Sequence, residues 1–433
     1  MSATIAVDDL RVGMFIHLDL KWWAHPFALS SFRLTSPEQI ATIRALGVQQ
    51  VRWSPEKSDA SSDALQSATI DAAQPSEPIG NAQPASAEPA TAPQRLHRRS
   101  EALVAQQEAQ RVCARQYHEA ARSWQAAADL VLAQPEAARA SAEGLTRALL
   151  DKMMVDGELC IRVLTQAQAD RATTHALNVA VISMLMGRVF GFSESEMFDI
   201  GVGALLHDVG KLELPDRVRF PDPQAAPADQ ALYKEHVARG VAQGKRMGLS
   251  PGALLVLAQH HEMADGSGFP QKINVDRMTA AARIVALVNR YDNLCDPAVP
   301  AHALTPHEAL SLIFAQTRAK FDASMLNAFI RMMGVYPPGS VVQLTDDRLG
   351  LVTHVNSTRP LKPRVLLFDA SVPASEALQV NLELHADLGI RRSLRPQQLP
   401  DEALQYLSPR QRVVYFFEPA QAAHTDHGQE LAA

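Results

Sequence analysis

Apolar and polar positions change rhythm along the 433-residue chain. Between residues 140 and 335 large apolar side chains recur every three or four positions, which lines them along one face of successive α-helices. Residues 176–192 are apolar almost all round, interrupted by Asn178, Ser183 and Arg188. They predict a buried helix, too interrupted to cross a membrane. Residues 1–54 read as a small α+β module. Positions 14–20 alternate in part, positions 37–46 form a helix between an N-cap at Ser36 and a stop at Gly47, and positions 48–53 form a strand. Trp22 and Trp23 read there as packing residues. After Tyr336-Pro337-Pro338-Gly339 the period shortens to two. Positions 340–356 predict a hairpin with Asp346 and Asp347 in its turn, and positions 363–370 a third strand.

The remaining stretches are connections. In residues 55–95 large apolar side chains nearly vanish among Ala, Pro, Ser, Gln and Asp, so the segment cannot bury enough surface to offset its ordering entropy and reads as a linker. Residues 96–139 read as a connecting helix. Its apolar positions Leu103, Val112, Tyr117, Trp124 and Leu130 suit a stalk, a helix that pairs two copies in a homodimer, or one packed on its own domain. Residues 336–420 form a β-rich appendix and 421–433 a tail. The expected fold is mainly α: a helical domain over 140–335, flanked by a small α+β module and a small β-rich subdomain.

Composition removes some classes of partner. A net charge of −6 lacks the basic footprint of a DNA-binding protein. A small anionic nucleotide stays open, because a bound metal can supply local positive charge. Cys113, Cys160 and Cys295 form no C-x-x-C pair and read as reduced thiols. The first residues hold no basic run followed by an apolar one. Together these features set a cytoplasmic expectation.

Candidate chemistry gathers in the helical region. His175 opens the apolar helix, His207 and Asp208 end the next, and Lys211 follows three residues later. His236 lies in a third helix. His260 and His261 close a fourth, immediately before the loop Met263-Ala264-Asp265-Gly266-Ser267-Gly268-Phe269-Pro270. Neutral imidazole is a good ligand for divalent iron, manganese or zinc, and a carboxylate can bridge two ions. Paired ions acidify water and clamp the oxygens of a phosphoryl group, which Lys211 is spaced to meet. A lone His-Asp or His-His pair means little. The ordered series of His, His-Asp-x-x-Lys, His and His-His-Glu before a glycine loop is hard to reach by chance.

These motifs carry a resemblance. His207-Asp208-Val209-Gly210-Lys211 resembles the signature of HD phosphohydrolases, and residues 260–270 resemble that of the HD-GYP family, with Phe269 in place of the naming tyrosine. Residues 304–316 and 336–344 are also similar to this family, and residues 7–20 resemble a domain of unknown function that often precedes it. The resemblance implies an all-helical domain that uses two divalent ions, iron or manganese, to hydrolyse cyclic di-GMP to the linear dinucleotide or GMP. It assigns metal ligation to His175, His207, Asp208, His236, His260, His261 and position 289. It makes Asp208 and Lys211 the catalytic pair, and places substrate against Lys211, Asp265, Gly266, Gly268 and Phe269. It also marks departures. Position 289 is Asn289 instead of aspartate, Arg171 stands where some members carry a third-metal glutamate, and Ala298 and Ala301 replace phosphate-binding cations. The alternative implied is a catalytically decayed regulatory module that binds nucleotide or a diguanylate cyclase.

Overall fold

The computed structural model describes residues 3–18, 31–34, 36–55, 58, 92–155, 157–164, 169–220, 225–356, 359–410 and 412–419. Trp22, Trp23, most of the expected linker and the tail 421–433 lie outside the described residues. The chain separates into two compact units, Met1–His97 and Arg98–Ala433.

In the first unit, β1 (Ala3–Ala6), β2 (Phe15–His17), β3 (Ser31–Arg33) and β4 (Gln50–Trp53) form an antiparallel sheet in the order β1-β4-β2-β3. Helix α1 (Pro37–Ala45) has Ser36 at its N-cap and Pro37 in its first turn, where a missing N–H costs nothing. Gly47 ends it at φ +70°, a backbone region that side chains disfavour. Ile40 and Ile43 of α1 share a core with Ile16, Leu34 and Val51 of the sheet side.

The second unit is mainly helical. Helices α2 (Ala92–Leu130, within this unit from Arg98) and α3 (Pro135–Met153) precede a short strand, β5 (Leu159–Val163). The bundle follows with α4 (Arg171–Val189), α5 (Glu194–Leu206), a 3-10 turn Val209–Glu213, α6 (Asp216–Arg219), α7 (Pro227–Met247), α8 (Pro251–Gln259), α9 (Ala280–Cys295), α10 (Pro306–Gln316) and α11 (Ala323–Met333). Caps fix the helix starts. Asp170 accepts from Thr173 N at the head of α4, Ser193 and Glu196 form a capping box on α5, and Ser250 caps α8. Helix α4 is buried from Thr173 to Gly187, which explains its all-round apolar texture. No helix among the described residues is long and apolar enough to cross a membrane.

The expected hairpin is β6 (Val341–Leu344) and β7 (Leu349–Asn356), followed by β8 (Arg364–Leu367), β9 (Gln379–Asn381), β10 (Ile390–Leu394), α12 (Asp401–Leu407) and β11 (Tyr415–Pro419). The sheet runs β10-β6-β7-β5-β11, with β8 on β7 and β9 on β8. Its member β5 comes from ahead of α4 and lies between β7 and β11. The helical bundle is thus inserted between strands of one sheet. All three cysteines are free, and burial pushes the Cys113 thiol to about 11 and the Cys160 thiol to about 12, which suppresses the reactive thiolate.

A buried polar cluster fastens this sheet. Arg162 Nη1 of β5 meets Glu418 Oε2 of β11 at 2.5 Å, and His354 Nε2 of β7 meets Glu418 Oε1 at 2.9 Å. Burial pushes the Glu418 carboxyl up, but the His354 hydrogen bond and the Arg162 charge outweigh it and hold the group at about 2. Because the folded value lies below the ordinary 4.5, this contribution is fully present above pH 4.5 and is lost as pH falls toward 2. Arg162→Leu strands a buried carboxylate and should cost about 3 kcal/mol in urea unfolding. Glu418→Gln should flatten the fall in stability between pH 4.5 and 2; an unchanged slope would mean that the cluster carries none of the acid sensitivity.

Candidate metal centre

Four helix segments converge on Asp208. Helix α5 ends at Leu206, and the chain turns so that His207 caps the helix and Asp208 begins the 3-10 turn. This turn packs against α7 through glycine, since a Cβ on Gly210 would overlap the backbone of His236 and Gly240. The approach brings His236 to one side of Asp208, while α8 delivers His260 and His261 from its C-terminal end.

The carboxylate is shared between two imidazole pairs. Asp208 Oδ2 lies 3.6 Å from His175 Nε2 and 3.4 Å from His207 Nε2. Asp208 Oδ1 lies 3.5 Å from His236 Nε2 and 3.8 Å from His260 Nε2, and it is buried without a hydrogen-bond partner. Two ligand clusters result, His175–His207–Asp208 and Asp208–His236–His260–His261, with Asp208 in both.

The tautomers make the case for cations. His207 Nδ1–H donates to Ala204 O at 2.7 Å, His236 Nδ1–H to Tyr233 O at 2.6 Å, and His260 Nδ1–H to Leu257 O at 2.9 Å. His175 Nδ1–H donates to Asp292 Oδ2 at 2.6 Å. With Nδ1 so engaged, each ring turns its Nε2 inward, the atom a metal would take. His175 and His207 bring these atoms to 3.1 Å, His236 and His260 to 3.2 Å, separations that suit a proton or a metal cation held between the rings. Burial drives His236 down to about 4 and holds His260 and His261 well below the ordinary imidazole range, so they are unprotonated at neutral pH. The donor set fits divalent cations that accept nitrogen and oxygen together.

Charge follows the same arrangement. Burial pushes the Asp208 carboxyl up, yet Lys211 and His207 hold it well below the usual carboxylate range. Lys211 Nζ donates to Asp208 Oδ2 at 2.6 Å, and Asp208 raises the ammonium's pKa against the opposing effect of burial. The ammonium also stands 5.1 Å from the Tyr233 ring centre and 5.5 Å from that of Phe220.

The remaining expected residues have partners of their own. Phe269 stacks on His261 with ring centres 4.4 Å apart, and its N–H donates to the His261 carbonyl. Gly268 lies beneath, where a Cβ would come within 2.5 Å of the Glu262 Cα. Glu262, fully buried, accepts from Gln271 N at 2.6 Å and Ile273 N at 3.2 Å and so holds the loop on the His-His-Glu segment. Asp265 is exposed and accepts from Ser267 N, while Gly266 turns the chain at φ +76°. Asn289 is buried in α9, and its amide oxygen accepts from Asn293 Nδ2 at 2.6 Å. Arg171 binds the Asp296 carbonyl and lies over Phe220. Ala301 sits in a 3-10 turn beyond α9.

Sequence reasoning missed three supports. Asp292 fixes His175, and Asn178 fixes Asp292 through Nδ2 to Oδ1 at 2.8 Å. Asn178 also donates to Val413 O at 2.8 Å and accepts from Tyr415 N at 2.9 Å, which ties the ligand to β11. Its signal was present: a polar residue in an apolar helix, three positions after a histidine. Tyr233, whose hydroxyl lies 3.5 Å from His261 Nε2, carried no such signal.

A helical bundle that gathers histidines around one shared aspartate is the arrangement of an HD metal centre. Comparison bears out that class. Residues 159–325 match the HD domain family, and residues 2–142 match a domain of unknown function, DUF3391. The two matches follow one another along the chain, DUF3391 first and the HD domain after it. It is 28% identical over 199 residues to the cyclic di-GMP phosphodiesterase PA4108 of Pseudomonas aeruginosa, covering 45% of this chain and 47% of that protein. It is 31% identical over 153 residues to the cyclic di-GMP phosphodiesterase response regulator RpfG of Xanthomonas campestris pv. campestris, covering 35% and 40%. Among solved structures it is similar to Bd1817, an HDG"Y"P protein from Bdellovibrio bacteriovorus, at 14% identity and a TM-score of 0.42 over 76% of this chain and 98% of that one. The chain spans less than half the length of these two curated relatives.

Asp292→Ala should leave His175 free to rotate. Titration of metal-stripped protein with Mn(II) should show affinity reduced about 10–100-fold at one ion. Unaltered affinity would separate Asp292 from the centre.

Proposed function

We propose that this chain is a metal-dependent phosphodiesterase that hydrolyses cyclic di-GMP in the cytoplasm, to the linear dinucleotide or to GMP. The observation that carries the reading is Asp208, which offers one carboxylate oxygen to each imidazole pair. His175, His207 and Asp208 would hold one divalent ion, and Asp208, His236, His260 and His261 a second, with iron or manganese the ions that the family resemblance implies. A bound pair of ions supplies Lewis acidity toward phosphoryl oxygens and acidifies water. The names of the similar proteins support cyclic di-GMP as the substrate.

The protein's own residues do the rest. Lys211 keeps Asp208 ionised and offers its ammonium to a phosphoryl oxygen. Asp292 and the backbone carbonyls of Ala204, Tyr233 and Leu257 hold the imidazoles in the ligand tautomer. Phe269 presents an apolar wall beside His261, and the loop from Asp265 to Phe269 with Gly266 and Gly268 frames the substrate. Protein purified without oxygen should carry close to two ions per chain and convert cyclic di-GMP, followed by chromatography. Asp208→Ala should abolish turnover, and turnover that survived the substitution would sink the reading.

One observation favours a second reading. The Asn289 oxygen is engaged by Asn293, and neutral amides are poorer ligands than carboxylates for these ions. A regulatory module that binds a cyclic dinucleotide or a diguanylate cyclase through the Asp265–Phe269 loop would tolerate this. Asn289→Asp should then raise both bound metal and turnover, measured side by side. Robust turnover of the unmodified chain at physiological metal levels would eliminate the second reading.

A further inference from the structure

Three side chains of α2 reach the two helix ends that present His175 and His207. Tyr117, Trp124 and Gln125 are seven and eight residues apart, a spacing that returns to one helix face after two turns. Trp124 Nε1–H donates to Leu205 O at 2.9 Å. Leu205 lies in the last turn of α5, where carbonyls lack onward helical partners. The neighbouring carbonyl, Ala204 O, takes the Nδ1–H of His207. The α2 indole and the ligand imidazole therefore satisfy adjacent carbonyls at the corner from which Asp208 leaves the helix.

The same face holds the start of α4. Gln125 Nε2 donates to Asp170 Oδ2 at 2.9 Å and to Thr173 Oγ1 at 3.3 Å. Asp170 is the N-cap of α4, and Thr173 is two residues before His175. Tyr117, fully buried, brings its hydroxyl to 3.4 Å from Thr174 Oγ1, next to the ligand. Apolar packing fixes the spacing between helices but resists sliding along their axes weakly. Directional bonds to a helix end and to a cap set that axial position. His207, His236 and His260 each donate to a carbonyl of their own helix, whereas the bonds from these α2 side chains go to α4 and α5.

We propose that Trp124, Gln125 and Tyr117 are positioning residues for the His175–His207 half of the metal centre. They set the separation of these two imidazoles from outside the bundle, and the proposal rests on the two-ion reading above. It gives α2 a specific task at one ion.

The test uses the full chain, stripped of metal and titrated with Mn(II), with electron paramagnetic resonance as readout. The unmodified protein should take two ions and show the exchange-coupled spectrum of a bridged pair. The double variant Trp124→Phe/Gln125→Ala should bind its first ion as tightly and its second about 10–100-fold more weakly. At intermediate metal it should give the uncoupled six-line spectrum that His175→Ala also gives. Far-UV circular dichroism and thermal melting at saturating metal guard against misfolding. If the double variant does not fold, Gln125→Ala alone, at an exposed position, carries the test. Two ions bound with unmodified affinities, or equal weakening of both, overturns the role of α2. Fewer than two ions in the unmodified chain overturns the two-ion reading itself, and this proposal with it.

Discussion

Everything in the helical unit answers to the demand that four imidazole lone pairs face one carboxylate. Lone pairs repel, and a buried carboxylate oxygen without a donor is costly, so the cluster around Asp208 gains from a positive charge that joins it. Side chains from one helix cannot surround such a point. The end of α5, the start of α4, the middle of α7 and the end of α8 must meet, and the glycine contact of Gly210 with α7 lets the backbones come that close.

The chemistry at the centre was legible because its residue types are rare inside helices. His175, His207, Asp208, His236, His260 and His261 stand out from an apolar background, and the structure brings them together. The helices themselves were legible through periodicity, and α1 through its Ser36 and Gly47 boundaries. Strand β5 was not, since a five-residue strand gains its identity from partners, and those of Ile161 are Val355 and Phe417. Trp124 was legible only as an apolar position in a long helix. Its indole N–H acquires meaning from Leu205, a partner 81 residues away that no local pattern points to.

The loop after His261 shows how support and access are divided. Glu262 turns inward and takes two backbone N–H groups from beyond the loop, while His260 and His261 beside it face the centre. Adjacent residues thus serve the frame and the chemistry. The stacked Phe269 closes one side of His261, and Asp265, bonded to its own loop, stays at the surface.

The link from Asn178 to β11 has a consequence for how the protein is made. Asn178 reaches Asp292 and, 237 residues onward, the backbone of Tyr415, and Asp292 in turn orients His175. During synthesis the bundle emerges from the ribosome well before β11 does, and long loop closures of this kind are slow to form. The nascent bundle can gather its histidines early, but His175 gains its full set of supports only after the chain has grown past Tyr415. The support of His175 is in that sense completed by a strand that contributes no candidate ligand of its own.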